Sequence, residues 1–247
     1  MPDIKMSRKI NISNNNPKFD IEENKYQKEF ISFLENKICE FPNYFYQTVC
    51  VQDLQDSIEG ENRITEQFHR FLTTKERSYT YTLISQEDIY HFVIENQTSG
   101  KGHRTYDIAI ILGYDNYNKG KILVIEAKRL PTPGKDREKE YLLGNYGGIE
   151  RFKKGVHGQD VESGTAIILG YIQQETDEIW YNKINDWIDG EITKSSNPSL
   201  KWDNEDKLIC DGIFQKDKVK KYLSSHSRIH PLSKLRINHY WIDLSKK

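Results

Sequence analysis

The sequence predicts a mixed α/β protein, and three observations predict it. A stripe of apolar residues at steps of three and four marks a helix beginning near Ser57. Strand-like runs follow it in close succession. A further helical stretch then leads into a nearly all-apolar run at 165–172, the signature of a strand buried on both faces.

The elements can be justified in order. Residues 11–20 are polar, Asn-rich and broken by Pro17, which reads as a loose arm. Over 21–39, Tyr26, Phe30, Phe33, Leu34 and Ile38 keep helical spacing. Phe41-Pro42-Asn43 is expected to end that helix, and 44–51, rich in aromatic and β-branched residues, to form a strand. Residues 1–56 thus read as an arm and helix decorating a main domain at 57–247. In that domain Ile58, Glu61, Ile64, Phe68, Phe71 and Leu72 share one helical stripe over 57–77. Strands are expected at 89–95, 106–112 and 121–128, separated by turns at 96–103 and 116–120. Residues 136–152 read as a helix interrupted by Gly147-Gly148, a pair that implies a bend or a close backbone approach. An acidic helix at 177–189 and strand-like runs at 207–214 and 238–244 complete the chain.

Composition excludes several classes. The 247 residues hold 36 Lys+Arg against 37 Asp+Glu, a net charge of −1, so the chain is neither a polybasic coat nor an acidic tail. No apolar run has the length of a membrane span, and the first twenty residues lack a signal peptide's apolar centre. A soluble, cytoplasmic protein is expected. Cys39, Cys50 and Cys210 form no C-x-x-C pair, which disfavours disulfides and zinc alike; buried reduced thiols are expected. There is no internal repeat and no Gly-rich phosphate loop, so ATP use is not expected.

Chemistry concentrates on the central strands. Side chains i and i+2 of a strand share a face, so Val124, Glu126 and Lys128 point one way and Leu123, Ile125 and Ala127 the other. A carboxylate and an ammonium therefore emerge side by side from an apolar strand. Asp107 opens the preceding strand and joins them if the two strands pair. Phosphodiester cleavage adds charge to an anionic centre. Two hard carboxylates can hold Mg²⁺, which neutralises that charge and lowers the pKa of a bound water. A neighbouring lysine can orient the water and stabilise the developing charge.

These residues resemble the PD-(D/E)xK nucleases, the restriction-endonuclease-like superfamily, over about half the chain. Asp107, the triplet Glu126-Ala127-Lys128 and the order of elements around them carry the resemblance. It implies an αβββαβ core with a central mixed sheet flanked by helices, here with an N-terminal helical extension and C-terminal additions. It also implies Asp107 and Glu126 as metal ligands with the Ala127 backbone carbonyl, and Lys128 as the catalytic lysine. The family often places a glutamate on the helix before the sheet. Glu61 lies on the sheet-facing stripe and is the first candidate for that catalytic and metal-binding role, with Glu66 second. Mg²⁺ is the implied cofactor, with Mn²⁺ able to substitute. Of five acid-x-Lys triplets in the chain, only the one at Glu126 ends an apolar strand preceded by an acid-bearing strand. Two features depart from the family. Tyr106 stands where its proline would precede the aspartate, and the following helix shows no catalytic Gln. The plain alternative is a strand-end salt bridge between Glu126 and Lys128, with Asp107 capping a turn.

A nuclease must also hold its polymer. His103, Arg104, Arg129, Arg137, Arg151, Lys153 and Lys154 are the candidates for phosphate contact. The basic segment 215–236 is either a second patch or a solvated face. The fifteen tyrosines are expected mainly in packing. The sequence thus points to a Mg²⁺-dependent endonuclease acting on DNA in bacterial defence, as a homodimer or a subunit of a complex. A repair, recombination or RNA-cleaving enzyme of the same fold, or an inactive binding subunit, stands beside it.

Overall fold

A computed structural model describes residues 22–48, 60–83, 89–94, 108–114, 117–134, 137–144, 147–159, 161, 164–194 and 200–245. Two compact units divide the chain, Met1–Asn36 and Lys37–Lys247. In the first, the rings of Phe30 and Phe33 lie 6.1 Å apart on the opening turns of α1 (Glu22–Thr48). The domain boundary expected at 56/57 lies outside the described residues.

Pro42 does not end α1, which runs on to Thr48, and the strand expected at 44–51 is helix over its described part. The apolar spacing explains this. Ile38, Phe41 and Phe45 continue the three-and-four stripe through the proline, and Phe41 packs on Phe68 and Phe71 of α2 (Gly60–Leu83) at ring separations of 5.0 and 5.9 Å. Aromatic burial outweighs the hydrogen bond that proline removes.

The second unit is α/β, with one mixed seven-stranded sheet flanked by helices, in the order β1-β2-β3-β4-β7-β6-β5. Strands β1 (Ile89–Ile94), β2 (Ile108–Tyr114) and β3 (Tyr117–Leu130) form an antiparallel meander. The turn expected at 116–120 is shorter, because Tyr117 already pairs with Tyr114. β4 (Thr165–Ile172) is parallel to β3 and to β7 (Leu235–Asp243), at the middle of the sheet as its apolar run predicts. β5 (Ile209–Lys216) and β6 (Val219–His226) extend the far side. β6 was not anticipated within 215–236. Its lysines obscure an alternation in which Val219, Tyr222, Ser224 and His226 are buried.

One face of the sheet carries α2, whose Thr65 hydroxyl lies 3.4 Å from that of Tyr171. The other face carries a 3-10 helix (Glu138–Tyr141), α3 (Gly148–Lys153) and α4 (Asp177–Lys194), packed on Val124, Leu130, Ile168 and Trp241. The helix expected at 136–152 is thus two short pieces. A Cβ on Gly147 would lie 2.3 Å from the Leu143 carbonyl carbon, and one on Gly148 3.0 Å from the Tyr141 carbonyl oxygen. The glycine pair allows the backbone to fold this tightly and seats α3 directly over β3.

A buried polar chain fixes α3 from behind. Trp241 Nε1 donates to the Tyr141 hydroxyl at 2.9 Å, so that hydroxyl donates in turn to His239 Nδ1 at 2.7 Å. His239 Nε2–H then donates to Ser224 Oγ, and Ser224 donates to His226 Nε2, each at 2.6 Å. The last link is His226 Nδ1–H to Asp206 Oδ1 at 2.5 Å, the oxygen that also receives Lys153 Nζ of α3 at 2.6 Å. Burial would raise the Asp206 carboxyl, but His226 and Lys153 outweigh it and hold the group low. Burial drives both imidazoles down, His239 well below its ordinary value, so both are neutral and the chain has one direction. Among the described residues no helix is long and apolar enough to cross a membrane. Cys39 is half-buried and Cys210, on edge strand β5, is exposed, against the expectation of buried thiols; Cys50 lies outside the described residues.

Candidate functional site

At its carboxyl end β3 outruns β2, whose described pairing stops at Ile108 with Ile125. The backbone beyond Ile125 therefore meets the first turn of α2. There Glu61 Oε2 accepts the Arg129 backbone N–H at 3.0 Å. Alternation puts Glu126 and Lys128 on one side of the strand, and both are buried, as the apolar context requires of a strand covered by α3.

Three oxygens converge on one cationic atom. Lys128 Nζ lies 2.7 Å from Glu126 Oε1, 2.8 Å from the Ala127 carbonyl oxygen and 3.3 Å from Glu61 Oε1. Arg151 of α3 adds a second positive charge, its Nη1 3.4 Å from Glu126 Oε1. His157 Nδ1 faces the other carboxylate oxygen at 3.5 Å. Burial alone would raise the Glu126 carboxyl, yet Lys128, His157 and Arg151 hold it below the usual range. Burial pushes His157 down to about 4, against the opposing pull of the Glu126 carboxylate.

The structure brings Glu61, Glu126, the Ala127 carbonyl and Lys128 together, while Glu66 faces solvent. Asp107, His103 and Arg104 lie outside the described residues. Among the described residues no group of three or more His, Cys, Asp or Glu side chains is disposed to hold a metal ion. Two carboxylates and a carbonyl are what the described part of the cluster offers.

The proposed phosphate contacts need correction. Lys153 is fully buried against Asp206, and Arg151 is buried against Glu126, so neither faces a polymer. Arg129 is buried too, its Nε donating to Gln173 Oε1 at 2.5 Å. Arg137 forms a two-pronged pair with Glu140 at 2.5 and 2.7 Å. Among the described candidates only Lys154 is exposed, with Glu150 2.6 Å away. The reason is common to the buried three: the residues flanking the crossover pack on the sheet, so their cations meet acceptors distant in sequence, Asp206 for Lys153, Glu126 for Arg151 and the Gln173 amide oxygen for Arg129. The second basic stretch is also dispersed. Lys221 pairs with Asp211, Lys234 with Glu205, and Arg228 bonds backbone carbonyls of Ser233 and Gly158.

Sequence reasoning did not single out His157. It sits between Gly155 and Gly158, with φ of +70° and +61°, conformations that turn the chain back after α3. That glycine spacing was the available signal.

Fold and site define an α/β protein with a buried Glu-x-Lys cluster at the carboxyl end of a central strand. Compared with known proteins, the chain matches no family model, no curated protein and no solved structure.

Proposed function

We propose that the protein is a metal-dependent nuclease of the PD-(D/E)xK, restriction-endonuclease-like kind, hydrolysing phosphodiester bonds of DNA. The observation that carries this is the convergence of Glu61, Glu126 and the Ala127 carbonyl on the Lys128 ammonium. Hard anionic and carbonyl oxygens around a cation match the donor preference of Mg²⁺, which needs only one or two carboxylates beside substrate phosphates. The topology supports it as well: a helix, an antiparallel meander, then a helical crossover into a parallel strand.

Glu61, Glu126 and the Ala127 carbonyl, with Asp107, would hold the cation; when bound it supplies charge neutralisation at the phosphate and an acidified water. Lys128 brings a fixed positive charge against the scissile phosphate and a donor for the attacking water. Arg151 keeps Glu126 ionised within an apolar setting. A role in cytoplasmic defence against foreign DNA, as a homodimer or within a complex, belongs to the same proposal.

A second reading, a binding subunit with an inert cluster, is favoured by one feature: Glu126 is already compensated by both Lys128 and Arg151. Incubation of purified protein with plasmid, single-stranded DNA and RNA, with Mg²⁺ or Mn²⁺, separates the two. Metal-dependent DNA cleavage lost in Lys128→Ala, Glu126→Gln and Asp107→Ala supports the nuclease. Nucleic-acid binding without cleavage of any substrate supports the inert cluster, and cleavage of RNA alone would move the substrate.

A further inference from the structure

Resting on the metal-dependent reading, we propose that His157 is a positioning residue that fixes the Glu126 carboxylate for cation binding. Two independent features place it there. First, the backbone holds the imidazole against the acid: the amides of Val156 and His157 both donate to the Arg151 carbonyl, at 2.9 and 3.2 Å. The ring also lies 5.5 Å from that of Phe152. Gly158 follows with no room to spare, since a Cβ there would come 3.3 Å from the Phe152 ring and 3.5 Å from Val124.

Second, the polar atoms enclosed are not otherwise used. His157 is 0% exposed, and neither ring nitrogen has a hydrogen-bond partner, nor does Glu126 Oε2. Buried polar groups are nearly always paired, so this juxtaposition calls for an explanation. Nδ1 and Oε2 face each other at 3.5 Å, while Lys128 and Arg151 take the other oxygen, Oε1. The carboxylate is thereby bracketed on both oxygens, charged donors on one and an imidazole on the other. Nδ1 stands a few tenths of an ångström beyond hydrogen-bond range of Oε2, so a proton there can be donated as the carboxylate settles on a cation, and the enclosed ring limits rotation of the acid. Outer partners of ligating carboxylates typically govern metal affinity and activity by about 10–100-fold.

The test compares wild type, His157→Phe and His157→Asn. Phenylalanine keeps the ring and its packing but no donor; asparagine keeps a donor. Mn²⁺ affinity is read by electron paramagnetic resonance of the free ion, alongside kcat and KM on plasmid and a thermal melt. His157→Phe is expected to weaken Mn²⁺ binding by about 10–100-fold and to lower kcat with KM unchanged, and His157→Asn to recover part of both. His157→Phe that folds and matches wild type in Mn²⁺ affinity and kcat overturns the proposal while leaving the nuclease reading intact. Should His157→Phe not fold, His157→Asn decides alone: affinity and kcat between wild type and the fully weakened range support positioning, and loss as complete as that of Glu126→Gln refutes it. A wild type that neither binds Mn²⁺ nor cleaves overturns both, a result distinguishable because it appears before any substitution.

Discussion

Replacing Ser224 by alanine removes one hydroxyl from the middle of the buried chain that runs from Trp241 to Asp206. Two bonds of 2.6 Å vanish together. His226 loses the donor to its Nε2, and His239 loses the acceptor of its Nε2–H, with both imidazoles at 0% exposure. A buried polar group left unsatisfied costs about 1–3 kcal/mol, so the variant should lose about 2–6 kcal/mol of stability. A surface Ser→Ala change would stay within about 0.5 kcal/mol. Urea-induced unfolding at about pH 8, where histidines are neutral, followed by fluorescence of the buried Trp180 and Trp241, measures the difference. Nitrogen-15 shifts add an independent readout, because the chain requires His239 protonated at Nε2 and His226 at Nδ1. A loss below about 1 kcal/mol, or the opposite tautomers in wild type, would refute the directional chain.

Other predictions follow from the same geometry. Lys153→Met leaves Asp206 buried without its ammonium and should cost about 3–5 kcal/mol in urea unfolding, the loss shrinking at acid pH as His226 takes up a proton. Acid should also destabilise the wild type. His157 is depressed from 6.5 to about 4, so its contribution is complete above pH 6.5 and is lost as pH falls toward 4. For this residue alone the loss is on the order of 3 kcal/mol, readable as a falling thermal midpoint between those pH values, with His226 and His239 acting in the same direction. Gly147→Ala places a Cβ 2.3 Å from backbone and should displace α3, costing about 1–3 kcal/mol or more and lowering cleavage with it. Glu61→Gln should abolish metal-dependent cleavage whereas Glu66→Gln, on the solvent side of α2, should leave it unchanged in the same gel assay.

How far the sequence carried depends on whether the signal was local. β4 was legible to the residue because an unbroken apolar run has few other uses. Glu61 was legible because a helical stripe states which side chains meet a sheet, and the Glu126–Lys128 pairing because a strand repeats every two residues. Pro42 misled because its local rule was outweighed by Phe41 and Tyr44 packing on α2, a contact between segments. Lys153 and Arg151 misled for a related reason. Their acids, Asp206 and Glu126, lie 53 and 25 positions away, and a cation reads as exposed until its partner is known. β6 was lost because its buried positions include Ser224 and His226, polar residues that are internal only because the hydrogen-bond chain completes them.

The central claim is that the oxygens gathered around Lys128 Nζ form a divalent-cation site. Anomalous diffraction from crystals soaked in Mn²⁺ tests it directly. The account predicts a peak bounded by Glu61, Glu126 and the Ala127 carbonyl, at about 2.0–2.6 Å from their oxygens, with the Lys128 ammonium displaced toward the phosphate side. No peak there, with Lys128 still held by all three oxygens, would contradict it and leave the cluster as a buried ion-pair network.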